Sequence, residues 1–280
     1  MSERAQNPPV TGTPQRASER VKVLHLLSAL LVVCSATVLF AFENNLGYLP
    51  LAAGIALGFA TDRSLGRDLL LIGIGMGIIS LHSMKADISW GNIFVMGTVL
   101  SLAVAVPYAI SRWGYKDHAV RFPLRRGTPW SRLEKLWLGL VLVLGWLILP
   151  FYFITSGVYQ NWPAVSTASE IGRLFVGVGF VGIWDELFFI CTVFTLLLRH
   201  FPFWVANALQ SIVFVSFLWE LGYQSWGPLL TLPFALIQGW IFTKTKSLTY
   251  VICVHLLFDL VVFLVIVHAH HPAWLPIFLY

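Results

Sequence analysis

Residues 171–198 read IGRLFVGVGFVGIWDELFFICTVFTLLL, and this stretch decides both the fold class and where to look for a site. The run exceeds the about 20 apolar residues that cross a bilayer as a helix. Asp185 and Glu186 lie together near its centre. Carboxyl groups at such depth are costly and usually mark function. The stretch therefore predicts a transmembrane helix that carries a functional site.

The composition of the whole chain agrees with a membrane protein. Hydrophobic residues make up 58% and charged residues 11% of the 280 residues, and the mean hydropathy is +0.78. A soluble domain carries about 25% charged residues, so this class is excluded. The net charge of +5 forms no basic stripe with interleaved aromatics, so membrane lipids and not nucleic acid are the expected partners.

Similar apolar runs recur along the chain and predict an all-α, polytopic membrane protein with eight or nine transmembrane helices. The runs cover residues 23–42, 46–60, 69–83, 91–111, 136–155, 171–198, 202–222, 227–242 and 247–268. The runs 46–60 and 69–83 are short, so they form either two full spans or a re-entrant pair. Three regions are expected: a disordered cytoplasmic tail at 1–22, amino-terminal helices at 23–165 and a carboxy-terminal core at 166–280.

The basic residues sort onto alternate loops, with only Lys85 and Arg173 on the opposite side. This bias predicts a cytoplasmic amino terminus and a protein of the cell (cytoplasmic) membrane. The loop at 112–135 carries more basic residues than any other loop, mixed with aromatic ones. Such a loop is attracted to anionic lipid, and a docking site for a cytoplasmic partner is the alternative.

Further ionisable residues lie in the last apolar runs. His255 and Asp259 stand one helical turn apart on the same face, which suits either a pair of metal ligands or a structural His–Asp pair. Asp185 and Glu186 are adjacent and point about 100° apart, so they face different partners. A carboxyl poised in an apolar region can act as a general base toward water. Glu220, near the end of run 202–222, is either a further ligand or a solvated side chain.

These residues, in this order, resemble the CPBP family of CAAX-protease and bacteriocin-processing membrane proteins, also called Abi-type intramembrane peptidases. The family pattern is Glu-Glu-x-x-x-Arg on one helix, Phe-x-x-x-His on the next and His-x-x-x-Asn/Asp on a later one. Asp185–Glu186 is similar to the first motif and His255–Asp259 to the last. The resemblance covers roughly residues 165–268.

The chain departs from the family pattern at two positions. Ile190 stands where the first motif has arginine. Phe214 or Phe217 takes the place of the aromatic residue in the middle motif, and Trp219 or Glu220 falls where histidine is expected. These departures put the family chemistry in question at the middle helix.

The resemblance implies an intramembrane endopeptidase with a CAAX-protease-like core that hydrolyses peptides or membrane-protein substrates. Glu186, with Asp185 beside it, would activate a water molecule. His255, Asp259 and Glu220 would hold a divalent metal, Zn or Mn, or support the oxyanion. Two alternatives remain open: a catalytically degenerate scaffold or binding protein of the same fold, and an ion-coupled transporter that uses the buried acids as a relay.

Overall fold

The computed structural model describes residues 14–124 and 129–279. Every regular element in these ranges is helical, which confirms the all-α prediction. The main helices are α1 (Pro14–Ala36), α2 (Tyr48–Thr61), α3 (Arg63–Ile79), α4 (Trp90–Ala109), α5 (Arg132–Thr155), α6 (Ala168–Asp185), the single turn α7 (Thr195–Leu197), α8 (Phe203–Leu221), α9 (Pro228–Thr245) and α10 (Leu248–His270). Three of them continue into π-helical stretches, at Thr37–Ala41, Ile110–Tyr115 and Glu186–Phe194.

Six helices in the described ranges are long and apolar enough to cross a membrane, so the protein is a multi-pass membrane protein. They span Lys22–Ala41, Trp90–Tyr115, Arg132–Thr155, Ala168–Leu197, Phe203–Leu221 and Leu248–His270. Each matches one predicted run to within four residues at either end. Helices α2, α3 and α9 are not among the six. The expected total of eight or nine crossings therefore stays a prediction.

The predicted tail at 1–22 is shorter in the structure, because α1 already begins at Pro14. Proline is favoured in the first turn of a helix, and the residues that follow contain no glycine and no second proline before Ala36. Their helix propensity extends the first span into the polar segment. Residues 1–13 lie outside the described residues, and so does the part of the basic loop at 125–128.

Loops and helix ends from several parts of the chain meet at one end of the bundle. Asp68, near the start of α3, accepts hydrogen bonds from Arg199 at 2.8 Å and His200 at 2.7 Å. Arg199 also pairs with Asp117, in the loop after α4, at 3.1 Å. The backbone N–H of Leu248, before α10, donates to the carbonyl of Pro123 in that same loop. The loops predicted to be cytoplasmic thus share one end, as the alternation of basic residues requires.

Aromatic packing fixes α6 against its neighbours just before its acidic pair. The Trp184 ring stacks on Phe188 with centroids 5.1 Å apart and contacts Phe217 of α8 at 5.0 Å. Its indole N–H donates to the carbonyl of Leu100 on α4. Buried aromatic pairs of this kind add to the energy of apolar burial. They hold the next residue, Asp185, at a defined rotation inside the bundle.

Candidate active site

The centre of the site is the imidazole of His255, on α10. Its Nδ1 lies 2.7 Å from Oε1 of Glu186, at the start of the π-helical stretch. The same oxygen accepts a hydrogen bond from Nε2 of Gln238, on α9, at 2.7 Å. All three side chains are buried. Three helical segments therefore fix one edge of the imidazole.

The opposite edge of the ring faces two further carboxyl groups. Nε2 of His255 lies 3.6 Å from Oδ2 of Asp185 and 3.9 Å from Oδ1 of Asp259. Both separations exceed a direct hydrogen bond. A water or a substrate oxygen between the groups can bridge them. The arrangement leaves a polar gap beside Nε2, while Nδ1 is fully engaged.

Each of the three acids has one oxygen without a hydrogen-bond partner among the described residues. These oxygens are Oδ1 of Asp185, Oε2 of Glu186 and Oδ2 of Asp259. Buried polar atoms are nearly always paired, so unpaired ones indicate a role beyond packing. Carboxyl and imidazole groups can each donate or accept a proton, depending on their ionisation, so this group of side chains can supply both roles in the same space.

The polar gap opens onto a cavity of about 530 Å³. Asp185, His255 and Asp259 lie on its wall, together with Phe214, Phe234 and other apolar residues of α4, α5, α6, α8, α9 and α10. Glu186 does not line it. The volume lies within the range of small-ligand sites. Glu186 therefore contacts His255 on the side away from the cavity. Asp185, His255 and Asp259 are the groups that a bound molecule can contact.

Two local features of α6 create this geometry. The helix widens to a π-helix from Glu186 onward, a departure that often occurs at functional sites. Gly182, one turn before the acidic pair, faces Asp259 so closely that an added Cβ would overlap the carboxylate. Glycine thus allows α6 and α10 to approach until the acids of both helices share one pocket.

Comparison with known proteins finds a family match for the segment that carries the site. Residues 167–261 match the family model described as Type II CAAX prenyl endopeptidase Rce1-like. The predicted family resemblance is confirmed. The Rce1-like segment runs from the start of α6 into α10 and contains Asp185, Glu186, His255 and Asp259. No curated protein and no solved structure matches the chain.

The middle helix of the Rce1-like segment, α8, presents apolar residues to the cavity. Phe214 lines it, and so does Leu218, four residues later. Trp219 and Glu220 do not line the cavity. Ile190, at the position of the family arginine, is buried and lies off the cavity wall.

Glu220 is not brought to the acid–imidazole group. Its Oε1 accepts a hydrogen bond from the backbone N–H of Met84 at 2.9 Å, in the connection between α3 and α4. The helical period turns it away from the face of α8 that carries Phe214 and Leu218. Glu220 was predicted as a further ligand because it is an acidic residue in an apolar run. The sequence does not show which way its side chain points. In the structure, the Glu220 carboxyl holds the connection between α3 and α4 through its hydrogen bond with Met84.

Two functional candidates were missed by sequence reasoning. Gln238 was interpreted only as a polar group that joins helices, yet it holds Glu186. Tyr223, in the turn after α8, lines the cavity. Burial, and then the nearby Asp259, raises the pKa of its phenol well above the usual value, so the hydroxyl stays protonated and can donate. No spacing motif links either residue to the acids, so only their proximity reveals them.

The described residues contain no group of three or more His, Cys, Asp or Glu side chains arranged to hold a metal ion. Nδ1 of His255 is engaged by Glu186, and Glu220 lies elsewhere. The Zn or Mn ion that the family resemblance implies stays a prediction.

Proposed function

We propose that this protein is an integral membrane endopeptidase that hydrolyses peptide bonds at the His255 site. One observation carries the proposal: a buried imidazole, oriented by Glu186 on one edge, faces Asp185 and Asp259 across a polar gap that opens onto a cavity. The Rce1-like match of the same segment supports this activity. Peptide hydrolysis needs a base, a proton donor and a pocket that admits water.

Water activation follows from the direction of the imidazole. With Nδ1–H donating to the Glu186 carboxylate, Nε2 is left as an acceptor toward the gap. A water bridging Nε2 and the Asp185 carboxyl is held for attack and gives its proton to Nε2. Glu186 stabilises the imidazolium that forms, as a buried carboxylate does for a catalytic histidine. Glu186 is therefore a positioning residue, and the sequence prediction that it activates water directly is revised in this proposal.

The second half of the reaction returns the proton. The water oxygen bonds to the carbonyl carbon and forms a tetrahedral intermediate. The C–N bond then breaks as the imidazolium, or a protonated Asp259, delivers a proton to the leaving nitrogen. The products are a carboxylic acid and an amine, and the net consumption is one water. The pairing of several carboxyls with one imidazole supplies both proton roles.

The developing oxyanion needs a donor, because no histidine lies between His200 and His255 to fill the role of the middle motif. We assign this role to the phenol of Tyr223, which lines the cavity and stays protonated. Tyr223→Phe is expected to lower kcat about 100-fold, the usual cost of removing one oxyanion donor. KM should change little. Cleavage of a fluorogenic peptide by purified protein in liposomes measures both constants, and an unchanged kcat would remove Tyr223 from the mechanism.

The proposal is tested by making the same Glu→Gln substitution at two different positions. Glu186→Gln removes the carboxylate that orients His255, and we expect peptide cleavage in liposomes to fall about 100-fold. Glu220→Gln makes the same change in a buried glutamate that lies away from the site, and it should leave kcat within about twofold. Equal activity of both variants and the unaltered protein would refute the assignment.

The position of the cavity defines the substrate class. Because it lies among membrane-spanning helices and has mainly apolar walls, we propose peptides or membrane-protein segments that reach the site from within the bilayer.

We further propose that the loop-rich end defined by Asp68, Arg199 and Asp117 faces the cytoplasm, because most basic residues lie in those loops. Labelling of single cysteines introduced at 117 and 271 from each side of a vesicle tests this orientation.

A non-catalytic scaffold is the second candidate. Ile190 at the arginine position, and the absence of a histidine between His200 and His255, favour it. The same liposome experiment separates the two. A scaffold binds a membrane-peptide library without converting it, and Glu186→Gln leaves this binding unchanged. An enzyme converts members of the library, and the variant stops conversion while binding remains.

A further inference from the structure

The far end of the cavity contains a cation without a counterion. Arg173, one turn into α6, lines the cavity wall. Its guanidinium carbon lies 5.2 Å from the ring centroid of Trp90, and its buried Nε has no hydrogen-bond partner among the described residues. Asp87, which also lines this wall, accepts hydrogen bonds from the backbone N–H and the hydroxyl of Ser89. In the described ranges no ion pair joins Arg173 to a carboxylate.

We propose that this cavity binds a single-chain anionic amphiphile, with its carboxylate or phosphate on Arg173 and its hydrocarbon chain extending toward His255. A guanidinium presents several donors in a planar fork that matches either oxyanion. The positive charge of Arg173 therefore predicts an anionic head group. This proposal is independent of the peptidase assignment, because binding requires no chemistry at His255.

Between Arg173 and the polar gap, the cavity walls favour a hydrocarbon chain over an extended peptide backbone. On this stretch α6 presents Leu174, Gly177, Val178 and Val181 to the cavity, and its backbone groups are bonded within the helix. A peptide backbone lying along it would have nearly every N–H and C=O unpaired, at a cost of several kcal/mol per group in an apolar setting. An alkyl chain needs no such partners and gains from the same apolar walls.

The length of the cavity also fits a lipid chain. Arg173 and Asp185 are twelve positions apart on one helix, which corresponds to about 18 Å along its axis. One leaflet of a bilayer holds hydrocarbon to a depth of about 15 Å. A chain of ordinary lipid length therefore extends from Arg173 to the edge of the polar gap. Its head group lies at the level of the predicted outer interface.

A competition experiment tests the proposal. The fluorescent probe dansyl-undecanoic acid is bound to the purified full chain, and its displacement is measured by the change in fluorescence. Palmitate, palmitoyl lysophosphatidic acid and neutral monopalmitoyl glycerol are the competitors, so carboxylate, phosphate and uncharged heads are compared on one tail. We expect either or both anions to displace the probe, with the neutral lipid at least tenfold weaker. Arg173→Gln should weaken anion binding at least tenfold. Lys85→Gln removes a charge that pairs with Glu43 instead and should leave binding unchanged.

A second variant tests the chain-binding part separately. A Cβ at Gly177, on the cavity wall, would meet nothing within 4 Å, so Gly177→Leu fits the fold and fills the space of the chain. It should abolish displacement by every competitor while helical circular dichroism is retained. Unchanged anion binding in either Arg173→Gln or Gly177→Leu, or equal binding of the neutral lipid, overturns the proposal.

Discussion

His255→Gln is expected to lower kcat of peptide cleavage about 10,000-fold. The imidazole contacts Glu186 on one edge and faces Asp185 and Asp259 on the other. Loss of a positioned general base costs up to about four orders of magnitude. Glutamine can still donate to Glu186, so the helices remain joined. KM should stay within about threefold, because the cavity walls are unchanged.

His200 provides a matched control for this variant. It is partly buried and also bonded to a carboxylate, with Nε2 2.7 Å from Oδ2 of Asp68, but it lies among the loops at one end of the bundle. His200→Gln should lower the thermal midpoint of unfolding while kcat stays within about threefold. A kcat for His255→Gln within tenfold of the unaltered protein would show that the imidazole is structural.

Gly182→Ala is expected to abolish detectable cleavage and to lower the thermal midpoint of unfolding. The new methyl group would overlap the Asp259 carboxylate, so α6 and α10 must separate or the acid must leave the pocket. Overpacking of a helix contact costs about 1–3 kcal/mol. The separation also widens the gap between Asp185 and His255, on which water activation depends. Fluorescence-detected unfolding in detergent and cleavage in liposomes measure the two effects.

The same helix supplies the control for this substitution. Gly177→Ala places a methyl group in open space and should be neutral or slightly stabilising, since alanine favours helix more than glycine by about 1 kcal/mol. A double-mutant cycle identifies the cause. If the overlap with Asp259 is responsible, Gly182→Ala loses most of its effect on unfolding in an Asp259→Ala background. An equal effect in both backgrounds would assign the damage to another contact.

The sequence alone determined the membrane character and the approximate bounds of the spans. Crossing a bilayer depends on local length and apolarity, and these can be counted from the residues. It also indicated Asp185, Glu186, His255 and Asp259, because any ionisable residue in an apolar run carries an energetic cost. The motif order then pointed to the family that residues 167–261 match.

Only the tertiary structure decided which atoms meet. The spans are apolar around most of their circumference, so their sequence contains little information about rotation. The π-helical stretch that begins at Glu186 changes the direction of the side chains that follow it, and no residue pattern signals it. Packing therefore placed Glu186 on the side of the imidazole away from the cavity and brought Gln238 into contact with it. It also placed Tyr223 on the cavity wall and turned Glu220 toward Met84.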